Sequence, residues 1–319
     1  MNGARFSVWG HSMRILVTGA GGFIGSELVR QLRGTGHEVL GLVRTPAKVE
    51  ELRTLGAIAI LGDVRDPEVM RQAVAKVDAI AHLALPRAGE GNPRVAREVS
   101  MRGTEALLEA CRDGSLRSFV LASGALGMYR HPLDGWIDES APEEPSTPST
   151  RDRHRADEMV RAAHREWGLR ATILRPPIVY GLGGAFKPFF LEFMRRGLYR
   201  VVGDGSYFLN VVHVEDCAAA YRSALERAPA GETFLIVDDE PVTMRTFSDE
   251  LARLMGRRRP GHVPPFLAKF VAGRDVIDAM MDSVRLRNAR VKERLGWSPR
   301  YATYRDGLPG VVQAFMESS

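Results

Sequence analysis

The sequence predicts an α/β fold: a doubly wound parallel sheet with a smaller, interleaved C-terminal part. Three observations predict it. Short apolar runs alternate with amphipathic segments through the first 175 residues with no hairpin signal between them, which is the pattern of parallel strands joined by crossover helices. A glycine-rich turn follows the first apolar run directly. Beyond residue 181 the rhythm loosens into two more strands and several helices.

The elements follow in order. Residues 1–12 read as an N-terminal extension, and Met-Arg-Ile-Leu-Val-Thr-Gly from Met13 marks a buried strand at 14–18 that glycines stop. Apolar positions 23, 24, 28, 29 and 32 have helical spacing. Further strands are expected at 37–43, 57–61, 79–83, 118–122 and 171–174, then at 211–214 and 233–236. Helices are expected near 47–55 and from about 153 to 167. Pro142-Glu-Glu-Pro-Ser-Thr-Pro148 is a loop ahead of that last helix and not a linker between domains.

Composition narrows the class. The chain has 319 residues, 45% of them hydrophobic and 26% charged, which excludes a disordered, fibrous or disulfide-stapled protein. No apolar stretch is long enough to span a bilayer, and the polar N-terminus has no secretory core, so no membrane role is expected. Cys111 and Cys217 have no metal-type spacing and fit buried thiols in a reducing, cytoplasmic setting. The net charge of +5 is spread along the chain, and its densest knot is Arg257-Arg258-Arg259. No nucleic-acid reader motif accompanies it, and no nucleic-acid partner is expected.

Thr18-Gly19-Ala20-Gly21-Gly22-Phe23-Ile24-Gly25 stands between a strand and a helix, the context a dinucleotide site requires. Gly19 permits the tight turn, Gly22 admits a pyrophosphate, and Gly25 lets helix approach strand. The amides of Phe23 and Ile24 open the helix toward the anion. The sheet is therefore expected to be of Rossmann type, over residues 13–181 with 206–238 returning to it. Residues 182–205 and 239–319 would then form the substrate domain. Nineteen residues past Gly25, where an acid would hold a ribose 2′-hydroxyl, stands Arg44, with Lys48 close behind. A guanidinium pairs with a 2′-phosphate and an acid repels it, so NADP(H) is expected over NAD(H). The alternative is that Arg44 stacks on the adenine and leaves the preference open.

Beyond this motif, the chain from Met13 to about Leu308 resembles the extended short-chain dehydrogenase/reductase family, the NAD-dependent epimerase/dehydratases. The resemblance is carried by Gly62-Asp63-Val64, Ala81-His82-Leu83-Ala84, Gly103-Thr-Glu-Ala-Leu-Leu108, Leu174-Arg175-Pro176-Pro177-Ile-Val-Tyr-Gly181, Val212-His213-Val-Glu-Asp216 and Arg294-Leu-Gly-Trp-Ser-Pro299. It implies adenine contacts from Asp63 and Val64, ribose contacts along Leu83 and Ala84, and a cofactor contact at Pro176.

The family's chemistry uses a Ser or Thr after the fifth strand and a Tyr-x-x-x-Lys pair on the following helix. Aligned through Asp157, this chain has Arg153 at the Lys position and Ser149 at the Tyr position, and Gly124 stands where the hydroxyl belongs. Ser149 is too short and too weak an acid to replace a phenol. Arg153 keeps the charge and could hold the ribose, but it gives up no proton near neutral pH. The catalytic candidates are Ser123, which an extra residue in its loop could shift into the working position, Tyr129 and Arg153. His82, His131 and His154 are further donors, each with a plainer reading as a structural or solvated residue.

Leu209 stands four residues before His213, where the family's nucleotide-sugar enzymes place a phosphate-binding Arg. A nucleotide-sugar substrate is thus disfavoured. Phe186, Phe189, Phe190, Phe193, Tyr207 and Phe208 surround it and fit either a core stripe or an apolar substrate cleft. Three functions remain open: a reductase of a small apolar carbonyl or enone, a redox-neutral isomerase, dehydratase or cyclase, and a non-catalytic NADP(H) sensor or assembly protein. The resemblance also implies a homodimer through the helices near 93–111 and 153–167.

Overall fold

The computed structural model describes residues 12–85, 92–113, 116–130 and 135–318. Almost all of the N-terminal extension, and the candidate His131, lie outside the described residues. Seven strands form the central sheet: β1 (Arg14–Thr18), β2 (Glu38–Val43), β3 (Ile58–Leu61), β4 (Ala79–His82), β5 (Ser118–Ala122), β6 (Ala171–Arg175) and β7 (Glu232–Leu235). Every pairing is parallel, in the order β7-β6-β5-β4-β1-β2-β3. The chain winds outward from β1 to β3, then returns to the other side of β1 as β4. That reversal opens a crevice at the C-terminal ends of β1 and β4, the place where open α/β sheets bind ligands.

Strand period two divides the core. Ile15 and Val17 face one layer and Leu16 the other, as Ala79 and Ala81 oppose Ile80. The first layer is covered by α1 (Phe23–Gly34), α2 (Pro46–Thr54) and α6 (Val214–Arg227). The second is covered by α3 (Pro67–Val74), α4 (Pro93–Ala110) and α5 (Pro148–Trp167). The expected apolar stripe of α1 is confirmed, since Leu28, Val29 and Leu32 are fully buried. Burial of each stabilises the layer by about 1.5–3 kcal/mol.

Helix α5 begins five residues before the expected start. Thr147 caps it, accepting a hydrogen bond from the Thr150 amide while the Thr150 hydroxyl accepts from the Thr147 amide. Proline at the first helical position supports that start, because it needs no amide partner there. Ser149 and Arg153 therefore lie one turn apart on the same helix.

The C-terminal part gathers around its own cluster of Phe186, Phe190, Leu191, Tyr199, Phe247 and Phe315. Of the aromatic stripe, Phe186, Phe190 and Tyr207 are core, Phe189 is exposed, and Phe208 turns toward a cleft. The segment Lys187–Glu192 is a π-helix turn.

One carboxyl in this part is far from its usual state. Asp238 is buried, its Oδ2 has no hydrogen-bond partner, and Asp239, Glu240, Tyr180 and Tyr304 lie around it. Burial pushes its carboxyl up to about 8. The folded state therefore holds a proton that the unfolded chain loses near pH 4. The contribution is fully present below pH 4 and disappears as pH rises through about 8. In Asp238→Asn this slope, worth a few kcal/mol at most, should vanish between pH 5 and 8 in denaturant titrations. An unchanged slope would refute the assignment.

Candidate functional site

The glycine loop is shaped by what it excludes. Gly19 has φ +69°, and a Cβ there would stand 2.8 Å from the backbone of Leu83 and 2.9 Å from the Ala84 amide nitrogen. Only glycine lets the β1–α1 turn lie against the end of β4. A Cβ on Gly22 would meet the Gly19 carbonyl oxygen at 3.0 Å, and one on Gly25 would meet it at 2.2 Å. Helix α1 has no side-chain cap and no acid in its first turn, so its first amides remain free for an anion. This is a cradle that side chains would fill, with free donors facing it. A dinucleotide pyrophosphate fits it.

Around the cradle, the Lys48 stem lies along Gly21 and its ammonium pairs with Glu51 at 2.5 Å. Arg44 is exposed just past β2, pairs with no carboxylate among the described residues, and its field reaches Asp63. Asp63 is engaged by its own neighbour. Arg65 donates to both its oxygens, at 3.0 and 2.7 Å, and this hydrogen bonding holds the carboxyl below its usual range. The Val64 side chain closes on Gly103 of α4. Pro176 is buried just beyond β6, and its carbonyl accepts from the Ala125 amide.

His82 is a structural residue. The Thr104 hydroxyl donates to the Ser100 carbonyl at 2.6 Å, so it accepts from His82 Nε2–H at 3.2 Å. Thr18 accepts from the Ala84 amide and donates its hydroxyl to His82 Nδ1 at 2.8 Å. This single tautomer satisfies every group, and burial lowers the imidazole to about 4. The neutral ring ties β1, β4 and α4 together beneath the cradle.

The three catalytic candidates meet behind the ends of β5 and β6. Arg175, fully buried, donates Nη1 to Tyr129 at 2.8 Å, Nη2 to Glu143 at 2.8 Å, and Nη2 to Asp157 at 2.5 Å. Ser123 donates its hydroxyl to Asp157 at 2.9 Å. Burial pushes the Glu143 carboxyl up, but Arg175 and Arg161 outweigh it and leave it at about 2. Burial raises the Tyr129 phenol. Tyr129 and Ser123 thus support a buried ionic network, and His154 joins its rim through Glu143 at 2.8 Å. The Ser149 hydroxyl lies 3.1 Å from that of Thr147, at the cap of α5. Arg153 stands outside this hydrogen-bonded network. Its guanidinium lies against Gly124 and has no hydrogen-bond partner among the described residues.

Next to Gly124 lies a small cleft whose walls include Ala125, Ile178, Phe208, Leu209, Met280 and Leu286 together with the Asp282 carboxylate. Leu209 is buried in the wall at the position where a phosphate-binding Arg was considered. Asn210, whose amide bridges Val284 and Leu286 at 2.8 and 3.0 Å, holds the two sides of the cleft together. The Arg175 network and the Gly124–Arg153 contact were not foreseen from the sequence. Only the loss of a side chain at 124 hinted at the latter.

A cofactor cradle at the switch point of a doubly wound sheet, with a cleft shaped by the C-terminal part, defines a dinucleotide-dependent enzyme class. The chain belongs to the NAD dependent epimerase/dehydratase family, whose model matches residues 15–236. It is similar to a 2-alkyl-3-oxoalkanoate reductase of Stenotrophomonas maltophilia, 31% identical over 86% of this chain and 85% of the relative. A 4-hydroxy-2-methyl-3-oxo-4-farnesyl-3,4-dihydroquinoline-1-oxide ketoreductase of Stigmatella aurantiaca is 27% identical over 95% and 96%. The crystal structure of a dTDP-glucose 4,6-dehydratase variant from Streptomyces venezuelae, with NAD bound, superposes with a TM-score of 0.82 at 26% identity, covering 96% of this chain and 97% of that one. Among the described residues, no helix is long and apolar enough to cross a membrane.

Proposed function

We propose that this protein is an NADP(H)-dependent reductase of a small carbonyl compound with an apolar body, working without a Tyr-x-x-x-Lys pair. The observation that carries this reading is Leu209, an apolar residue buried in the wall of a small cleft next to Gly124, where a phosphate-binding Arg would stand. The two reductase relatives bear names of ketone substrates with alkyl or farnesyl substituents, which suits such a cleft. In this reading Gly19, Gly22, Phe23, Ile24 and Gly25 hold the pyrophosphate, Asp63 and Val64 flank the adenine, and Leu83, Ala84 and Pro176 line the ribose and nicotinamide. When bound, the cofactor supplies a hydride. The chain's own contribution is orientation: hydride transfer depends chiefly on distance and alignment, so a missing phenol does not forbid it. Ser123 and Tyr129 act as positioning residues through Asp157 and Arg175.

The redox-neutral reading is supported by the family's epimerase and dehydratase members, the dTDP-glucose dehydratase among them, and is opposed by Leu209, which cannot neutralise a nucleotide diphosphate. NADPH consumption followed at the reduced-nicotinamide absorbance with 3-oxo acids and esters decides between them. Net oxidation supports the reductase, and product without oxidation refutes it.

Arg44, free of carboxylate partners, is read as the 2′-phosphate anchor. Arg44→Ala should weaken NADPH about 10- to 100-fold and leave NADH unchanged, the value of one charge-assisted bidentate contact. Equal loss for both cofactors in fluorescence titrations would refute the anchor. Helices α4 and α5, packed together beside the site, are read as a homodimer surface, which a monomer mass by light scattering would remove. The two free, buried thiols suit a cytoplasmic enzyme.

A further inference from the structure

We infer that Arg153 stands in for the missing hydroxyl as well as for the missing lysine: its guanidinium fills the space emptied at Gly124 and binds the substrate's carbonyl oxygen. The inference rests on the reductase reading and names the group that receives the developing charge.

Three observations carry it. A Cβ built on Gly124 would stand 2.4 Å from Arg153 Nη1 and 3.3 Å from its Cζ. Gly124 is not among the glycines with positive φ, so its backbone does not require glycine. What an added Cβ would meet is the guanidinium, in the place where it now lies. The residue with no side chain and the residue with the long one are therefore a matched pair. Any serine or threonine at 124 and this placement of Arg153 exclude each other.

Next, the guanidinium makes no hydrogen bond or ion pair with a described residue, although it offers five donors. Asp157, whose charge acts on it, is engaged by Arg175 and Ser123 through Oδ2, while its Oδ1 has no hydrogen-bond partner among the described residues. The Arg175 charge pushes against Arg153 from behind. The guanidinium's donors are unmatched by described side chains, and a substrate oxygen that becomes negative satisfies them.

Finally, the position is at the cleft. Ala125, next to Gly124, lines it, and so does Gly127, whose Cα faces Thr150 one turn from Arg153. As the carbonyl carbon accepts hydride, its π pair moves onto oxygen, where the guanidinium N–H groups hold the alkoxide. Water then donates the proton that completes the alcohol and leaves as hydroxide. Arg153 gives up no proton at any point. Its function is that of a fixed cation aimed at where charge develops.

The experiment has an arm that needs no turnover. In thermal unfolding, Gly124→Ser should lower the Tm by about 3–6 °C when Arg153 is present and by about 1 °C or less in an Arg153→Lys background. Additive shifts would overturn the exchange. In turnover with 3-oxooctanoate, Arg153→Ala should lower kcat about 10²- to 10³-fold, as removal of an oxyanion donor does. NADPH affinity measured by fluorescence should stay within about threefold, and millimolar guanidinium chloride should restore activity. A parallel loss of NADPH affinity without such rescue would make Arg153 a ribose holder and overturn the inference. If the wild-type protein turns over no carbonyl, the reductase reading itself has failed. Calorimetric titration of 3-oxooctanoate into protein saturated with NADP⁺ then decides the oxygen site. Binding at least about tenfold weaker in Arg153→Ala supports it, and equal binding overturns it.

Discussion

Replacing Gly25 by alanine is expected to weaken dinucleotide binding more than about 100-fold, because the new methyl would stand 2.2 Å from the Gly19 carbonyl oxygen and 2.9 Å from its carbon. Both obstacles are backbone, so no rotamer change relieves them. Either α1 moves away from β1 or the glycine turn opens, and each displaces the amides from the pyrophosphate. The same variant should lose about 1–3 kcal/mol of stability, the ordinary cost of overpacking. Gly34→Ala is the control on the same helix, with nothing within 4 Å of its added methyl. Fluorescence titration of NADPH into both variants checks the prediction. Affinity retained in Gly25→Ala would mean that the cradle is not the cofactor site.

The largest stability loss is expected at Arg175. Arg175→Leu leaves Asp157 buried without its cation and partly buried Glu143 with Arg161 alone, which should cost about 3–5 kcal/mol. The sign of its pH dependence identifies the cause. Burial already raises the Asp157 carboxyl against the pull of Arg175, so without Arg175 it rises further and the folded variant holds a proton that the unfolded chain lacks above pH 5. Its deficit should therefore shrink as pH falls toward 5. Arg175→Lys should recover part of the loss only, since one ammonium does not reproduce a planar fork that reaches Tyr129, Glu143 and Asp157 together. Urea titrations at pH 5.5 and 7.5 test both points, and a deficit independent of pH would refute the electrostatic account.

Much of the fold was legible because local chemistry determined it. Short, mostly apolar runs of four to six residues marked all seven strands of the sheet, some of them stopped by glycine. Helix α3 is not among the expected elements, although Asp66 before Pro67 is a cap signal and Met70, Ala73 and Val74 form one buried face. The early start of α5 was missed because Pro142 to Pro148 reads as loop, although Thr147 before Pro148 is a cap signal in hindsight. The aromatic stripe from 186 to 208 could not be apportioned between core and cleft from spacing alone. Burial of Phe186 beside exposure of Phe189 depends on where the Met244–Leu254 helix packs.

By itself the sequence determined the sheet, its winding and the glycine cradle. These follow from strand period, crossover handedness and the volume of a missing Cβ, all short-range or chiral constraints. Tertiary structure decided what the divergent catalytic positions do. Ser123, Tyr129, Asp157 and Arg175 are up to 52 residues apart in the chain, and only the sheet brings them into one ionic network. Gly124 and Arg153 looked like two separate losses in the sequence. Folded, they are one exchange, because a guanidinium occupies the volume that the absent side chain released.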